Sequence, residues 1–251
     1  MPPRIAIPLP HSLDPEYAER AIPQYERAVK LAGGEPIRIP LDGTADDVAK
    51  LIEGCDGVLL PGSKADVDPA RFRTSRSPHT AGADSRREAV DDRLLDDAYR
   101  QRKPVLGICY GLQSLNVYRA GSLVQHIPDF LPEATRTKVN HNAGRKVAVA
   151  HTVKIDRDSN LAEIVASGQR PRSKIPRSIV VPVNSSHHQS AETIGAGLRI
   201  VARCPDDGII EALEGTSPDH FVLAVQWHPE RSVDEDETSR AIFKVLVESA
   251  R

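Results

Sequence analysis

Chemistry in this chain concentrates at a cysteine between two glycines. The run Pro104–Gln113 (PVLGICYGLQ) carries Gly107-x-Cys109-x-Gly111 where an apolar, strand-like stretch gives way to a helical one. That spacing fits a nucleophile elbow, a sharp strand-to-helix turn that presents a reactive side chain above a sheet. Both neighbours are glycine because a Cβ would crowd so tight a turn. A helix N-terminus also favours a thiolate, so the thiol pKa is expected to fall below its usual value of about 8.5. Cysteine is often an inert core residue, and Cys55 and Cys204, which lack any such context, are read that way.

A thiol nucleophile needs a base within reach and a third group to orient that base. Phe221–Glu230 is an apolar run ending in Trp227-His228-Pro229-Glu230. It puts His228 at the C-terminal edge of a strand, the side of a parallel sheet where the Cys109 strand also ends. Glu230 lies two residues away across a stiffening proline, and can hold the imidazole tautomer whose free nitrogen faces Cys109. Leu59-Leu60-Pro61-Gly62-Ser63 is a strand entering a glycine turn. An N–H aimed from Gly62, with that of Tyr110, would make a two-donor oxyanion hole, each donor typically worth ~10²–10³ in rate.

Asn184-Ser185-Ser186-His187-His188-Gln189 is a polar turn after a β-like run, where substrate contacts concentrate. His187 and His188 invite a metal reading, but no acidic or thiol partner lies at ligand spacing, so they are read as substrate-loop residues. His126, His141 and His151 are read as surface or hydrogen-bonded loop histidines. No metal site is expected.

The elements that must position these groups alternate between β-rich runs and helical patterns, the mark of an α/β fold with a mostly parallel sheet covered on both faces. Strands are expected near Arg4–Leu9, Pro36–Pro40, Gly57–Leu60 and Val105–Ile108. Helices are expected over about Pro15–Ala32, Ala45–Glu53, Glu88–Arg102 and Gly111–Ala120. Residues 63–86 read as a long loop, of a kind usually functional or partly mobile. Later strands are expected at Ser122–Ile127, Lys146–Ala150, Thr152–Ile155, Ile179–Asn184, Leu198–Cys204, Ile209–Glu214 and Phe221–Gln226. A polar stretch covers Pro128–Arg145, a basic loop covers 166–178, and a last helix spans about Ser239–Ser249. No repeat or linker divides the chain, so residues 1–251 are expected to form one domain.

Composition narrows the partners. Of 251 residues, 39% are hydrophobic and 27% charged, which is ordinary for a globular protein, and the net charge of -2 gives no reason to expect nucleic acid or an acidic membrane surface. The basic run Arg170–Lys174 reads as a solvated loop. No apolar run approaches the ~18 residues of a membrane span. There is no signal-peptide pattern at Met1–Leu9, and three widely spaced cysteines argue against a disulfide framework, so a cytoplasmic protein is expected.

In one order along the chain stand Leu59–Ser63, the Asp68-Pro69 pair, Gly107–Gln113, Gly121-Ser122-Leu123, Asn184–Gln189, Asp206–Ala212 and Gln226–Glu230. Together they resemble the class I glutamine amidotransferase superfamily, and within it the free-standing γ-glutamyl-γ-aminobutyrate hydrolase (peptidase C26) type. The resemblance implies a flavodoxin-like central sheet with flanking helices and a smaller antiparallel sheet. It makes Cys109 the nucleophile, His228 the base and Glu230 its orienting partner. Gly62 and Tyr110 supply oxyanion N–H groups, while Gln113, Ser186, His187, His188 and Gln189 line the γ-glutamyl pocket.

The implied reaction is hydrolysis of a small γ-glutamyl amide through a γ-glutamyl thioester, with no cofactor and with room for a homodimer. A glutaminase subunit feeding ammonia to a separate synthetase is the enzymatic alternative, disfavoured because the chain has no attached synthetase segment. A non-catalytic γ-glutamyl sensor is the other. Two departures stand out. Relatives often carry arginine where this chain has Tyr110, which puts the leaving-group surroundings in question. The helix before the elbow reads Asp84-Ser85-Arg86-Arg87-Glu88-Ala89-Val90-Asp91 in place of Asp-x-x-Arg-Asp-x-x-Glu, so its acids are exchanged.

Overall fold

The computed structural model describes residues 1–166 and 178–251. The Arg170–Lys174 run lies outside the described residues. Strands β1 (Arg4–Pro8), β2 (Glu35–Ile39), β3 (Gly57–Leu60) and β4 (Val105–Ile108) alternate with helices α1 (Pro15–Leu31), α2 (Ala45–Glu53), α3 (Ser85–Gln101) and α4 (Tyr110–Tyr118). There follow β5 (Leu123–Val124), α5 (Ile127–Phe130), α6 (Glu133–Arg136), β6 (His151–Ile155), α7 (Asn160–Ala166), β7 (Ile179–Val183) and β8 (Ser190–Ala191). The chain finishes with β9 (Leu198–Arg203), β10 (Ile210–Gly215), β11 (Val222–Val225) and α8 (Glu237–Ser249).

Nine strands form one sheet in the order β2-β1-β3-β4-β11-β10-β9-β6-β7. The first five run parallel and the remainder extend the sheet antiparallel. β5 and β8 pair as a separate small antiparallel sheet. This is the expected α/β architecture. The parallel strands are short, uninterrupted apolar runs because both faces are covered. Ile5, Leu59, Leu106 and Leu223 point into the core under α1 and α8, where Ile22, Val29, Phe243 and Leu246 meet them. Their sequence neighbours Ala6, Leu60, Val105 and Ala224 point to the opposite core, against Val48 of α2, Leu94 of α3 and Leu115 of α4. The period of two is that of a pleated strand.

Helix starts follow local chemistry. Asp14, Thr44, Asp84 and Asp236 each accept a backbone N–H of the first turn of α1, α2, α3 and α8. None of the described helices is long and apolar enough to cross a membrane.

Local pattern and structure differ at several points, and of the expected strand Ser122–Ile127 only Leu123–Val124 forms. Lys146–Ala150 forms no strand: Val147 and Val149 are exposed, and the β6–β7 register begins only at the His151–Val183 pair, so the preceding residues find no ladder beyond one bond from the Ala150 N–H to the Val183 carbonyl. The polar stretch before them holds the single-turn helices α5 and α6. α7 was not anticipated, since seven residues are too few to show a helical period.

Candidate active site

Three neighbouring parallel strands deliver the chemistry. β3 runs into Gly62, β4 into Cys109 and β11 towards His228, and the Cys109 N–H donates to the Val225 carbonyl at 2.8 Å. Cys109 occupies a left-handed backbone position, φ 53° and ψ −105°, immediately before α4. The flanking glycines are required sterically. A Cβ at Gly111 would lie 2.2 Å from the Leu60 carbonyl oxygen, and one at Gly107 2.8 Å from the Gly111 backbone. The elbow therefore packs against the neighbouring strand as well as turning sharply.

The His228 ring lies beside it. A Cβ at Gly62 would sit 3.1 Å from His228 Cε1 and 3.7 Å from Cys109 Cβ, so glycine there keeps the space between them open. His228 Nδ1 is 2.8 Å from Glu230 Oε1, while Nε2 is buried without a partner. If Glu230 is ionised, Nδ1 carries the proton and Nε2 presents a lone pair. Pro229 and Glu230 begin a single 3₁₀ turn that folds the carboxylate back onto the ring.

His228 is also held through its backbone. The His228 N–H donates to Asn184 Oδ1 at 3.0 Å, and Asn184 Nδ2 donates to the His228 carbonyl at 2.9 Å. One side-chain amide thus replaces two rungs of a strand ladder.

Burial governs the electrostatics. It pushes the Cys109 thiol up to about 12, against the opposing pull of Arg231 and of the Tyr110 N–H. The lowered thiol pKa expected from the helix N-terminus is therefore corrected: removal from water outweighs the helix end. Burial pushes His228 the other way, below the ordinary histidine value, with Glu230 resisting. At neutral pH the pair is a neutral thiol beside a neutral imidazole.

Gly62 is already engaged. Its N–H donates to the Tyr25 hydroxyl at 3.1 Å, because a buried N–H must find an acceptor, so it is not free in this state. Tyr110 shows where the departure from arginine leads. Its buried ring packs among Ala65, Val67, Val117 and Leu123 beneath the Arg87 guanidinium, and the residue borders the cavity over Cys109. The acids of α3 are likewise internal braces. Fully buried Arg87 reaches Asp91 Oδ1 at 2.7 Å and the carbonyls of Pro61 at 2.7 Å and Pro10 at 3.0 Å, while Glu88 accepts the Asp68 N–H.

A cavity of about 230 Å³ opens over Cys109, and Gln113, Ser186, His187, His188, Gln189 and His228 all reach its wall. Gln113 donates to the Gln189 carbonyl, tying the elbow helix to the turn. His188 contacts Asp66 at 3.1 Å. His187 is drawn off, with Nδ1 on the Gln189 carbonyl and Nε2 directed to Glu211, so its nitrogens do not serve the cleft. Four cations, Arg20, Lys64, Arg145 and Arg231, also line the cavity, against the single acid Asp66. Arg231 donates to Ser186 Oγ at 2.9 Å. These cations were missed in the sequence. They sit in four separate segments, and only the adjacency of Arg231 to Glu230 could have hinted at one of them.

The sequence profile of the peptidase C26 family matches residues 9–230. The chain belongs to the peptidase C26 family. Among relatives of this C26 protein, a putative glutamine amidotransferase of Mycobacterium tuberculosis is 36% identical over 90% of the chain and 66% of its own length. The γ-glutamyl-γ-aminobutyrate hydrolase of Escherichia coli O157:H7 is 31% identical over 89% of the chain and 84% of its own. Among solved structures, the glutaminase domain of a Trypanosoma brucei CTPS with bound acivicin superposes with a TM-score of 0.59 at 18% identity, covering 98% of this chain and 93% of that one. That likeness places the C26 chain in the class I glutamine amidotransferase fold.

Proposed function

We propose that the protein hydrolyses a γ-glutamyl amide by covalent catalysis at Cys109, with His228 as base and Glu230 as its orienting partner. The observation that carries this reading is His228, bonded to Glu230 through Nδ1 and presenting an unpartnered, buried Nε2 in the cavity that exposes Cys109.

Since both groups start neutral, attack and proton transfer go together. Cys109 Sγ bonds to the γ-carbonyl carbon while its proton passes to His228 Nε2, and Glu230 stabilises the imidazolium. The oxyanion is received by the Tyr110 N–H, joined by that of Gly62 once the Tyr25 hydroxyl gives way. Collapse breaks the C–N bond, and His228 returns the proton to the departing amine. Water then attacks the thioester, His228 takes its proton, and the thiolate leaves with that proton to regenerate Cys109 and glutamate.

The cavity's charge bears on the substrate. Arg20 and Arg145, together with Lys64 (paired with Asp14) and Arg231 (beside Glu230), suit a γ-glutamyl group whose leaving amine also ends in a carboxylate, as in γ-glutamyl-γ-aminobutyrate, and oppose a cationic polyamine. The test is glutamate release from a panel of γ-glutamyl amides. The expected result is a kcat/KM higher for γ-glutamyl-γ-aminobutyrate than for γ-glutamyl polyamines, and no turnover by Cys109→Ala. Normal turnover by Cys109→Ala would end the proposal, and ammonia release only on adding a synthetase would make the protein a glutaminase subunit.

A further inference from the structure

Behind the His187 turn, away from Cys109, four buried side chains from four segments converge. His141 comes from the loop before β6, His151 opens β6, His187 follows β7 and Glu211 lies in β10; all four are under 9% exposed. Glu211 Oε1 is 3.2 Å from His141 Nδ1, 3.6 Å from His151 Nε2 and 3.7 Å from His187 Nε2. All four ligand atoms fall within 4.8 Å of one another, and none has a well-formed hydrogen-bond partner.

The outer nitrogens decide what the inner ones present. His141 Nε2 faces Asp207 Oδ2 at 2.8 Å, His187 Nδ1 faces the Gln189 carbonyl at 2.9 Å, and His151 Nδ1 faces the Thr152 carbonyl at 3.2 Å. Each of these partners is an acceptor, so each outer nitrogen carries the ring proton. The inner nitrogens of the three rings and the Glu211 carboxylate therefore converge on one another inside the protein. A single metal cation at the centre would partner all four. Outer-nitrogen bonds to carboxylate or carbonyl are also how metal-bound histidines are oriented.

We propose that His141, His151, His187 and Glu211 bind one divalent ion of the zinc class. Four ligands at about 2.0–2.1 Å in a tetrahedron stand about 3.3–3.4 Å apart, and the 3.2, 3.6 and 3.7 Å found around Glu211 need only small side-chain shifts to reach that spacing. A set of three nitrogens and one oxygen suits zinc or cobalt better than the oxygen-loving magnesium or calcium. With four protein ligands the site is closed, and its role is structural. It would pin the turn that carries Ser186 and His188 to the cavity wall; that turn already leans on the His141 carbonyl through the His187 N–H and Ser185 Oγ. His141 is a hydrogen-bonded loop histidine, as expected, whereas His151 lies buried in β6, and the proposed site departs from the expectation of no metal.

The test begins with full-length protein stripped by a chelator and titrated with Zn²⁺ or Co²⁺ alone. One ion per chain is expected, with a rise in Tm and, for Co²⁺, the intense visible bands of a tetrahedral site. Asp207→Asn preserves the shape at the outer shell and should weaken binding about 10–100-fold, while His151→Ala should abolish the tetrahedral spectrum. Because Cys204 lies near His141 and His151, the titration is repeated in Cys109→Ala, where no cleft thiol contributes. A thiolate-to-cobalt band there, lost in Cys204→Ser, would overturn the ligand set. Folded wild-type protein that takes up neither ion stoichiometrically would overturn the site altogether.

Discussion

Replacing Glu230 by glutamine tests the core of the proposed mechanism with one nearly isosteric change. Glu230 Oε1 stands 2.8 Å from His228 Nδ1 with both groups buried. An imidazolium and a carboxylate whose charge centres are about 4 Å apart attract by about 4 kcal/mol at an effective dielectric of 20. In the transition state His228 is becoming that imidazolium, so losing the charge costs about 10³-fold in kcat. A further loss follows if the new amide donates to Nδ1, because the ring proton then moves to Nε2 and faces Cys109. Triads deprived of their carboxylate lose roughly 10⁴ in kcat.

The pH profile separates this from mere unfolding. In the wild type, burial already holds His228 below the ordinary value of 6.5, so its imidazole is free to accept a proton at neutral pH. Activity falls as the pH drops through that lowered pKa, and the acid limb of kcat/KM lies below 6.5. In Glu230→Gln, the charge that resisted the lowering is gone, so the acid limb moves to still lower pH while Tm stays close to that of the wild type. The assay is glutamate release from γ-glutamyl-γ-aminobutyrate across pH 4–9, roughly the range in which histidine titrates, with Tm measured on the same preparations. A Glu230→Gln enzyme with near-normal kcat and an unmoved acid limb would refute the reasoning.

Other perturbations probe the frame. Gly111→Ala drives a methyl group to within 2.2 Å of the Leu60 carbonyl oxygen, so it should cost about 1–3 kcal/mol and lower Tm by roughly 2–12 °C; an unchanged melting curve would show that the elbow is not sterically fixed. Arg87→Met leaves Asp91 buried without its cation and the Pro10 and Pro61 carbonyls without a donor, with an expected loss of about 3–5 kcal/mol in chemical denaturation. An effect below about 0.5 kcal/mol, typical of a surface site, would contradict its role as a brace. Tyr25→Phe removes the acceptor of the Gly62 N–H and should destabilise the protein by about 1–3 kcal/mol while leaving kcat undiminished. A large drop in kcat at constant KM would instead put the Tyr25 hydroxyl in the machinery.

What the sequence made legible was whatever lies close together along the chain. The Gly107–Gly111 elbow, the Trp227–Glu230 step and the strands feeding them are contiguous motifs, and the parallel strands betray themselves as unbroken apolar runs. Val147 and Val149 alternate like a strand but have no ladder to join, so local pattern misled there. The Cys109 thiol was misjudged because a helix end is visible in sequence and the depth of burial is not. Arg20, Lys64, Arg145 and Arg231 meet only in the folded cavity. The same is true of His141, His151, His187 and Glu211, which span 70 positions and share no spacing rule.

The backbone at Cys109 has a consequence for the protein's history. A non-glycine residue held at φ 53°, ψ −105° typically costs about 1–3 kcal/mol, and glycine would occupy the position without that penalty. Backbone strain taken alone therefore favours glycine over cysteine at 109. On the proposed function, drift to glycine at this codon would relieve backbone strain and abolish turnover. On that function, selection for turnover is what holds cysteine at this strained position, and a copy of the gene released from that selection is expected to lose it.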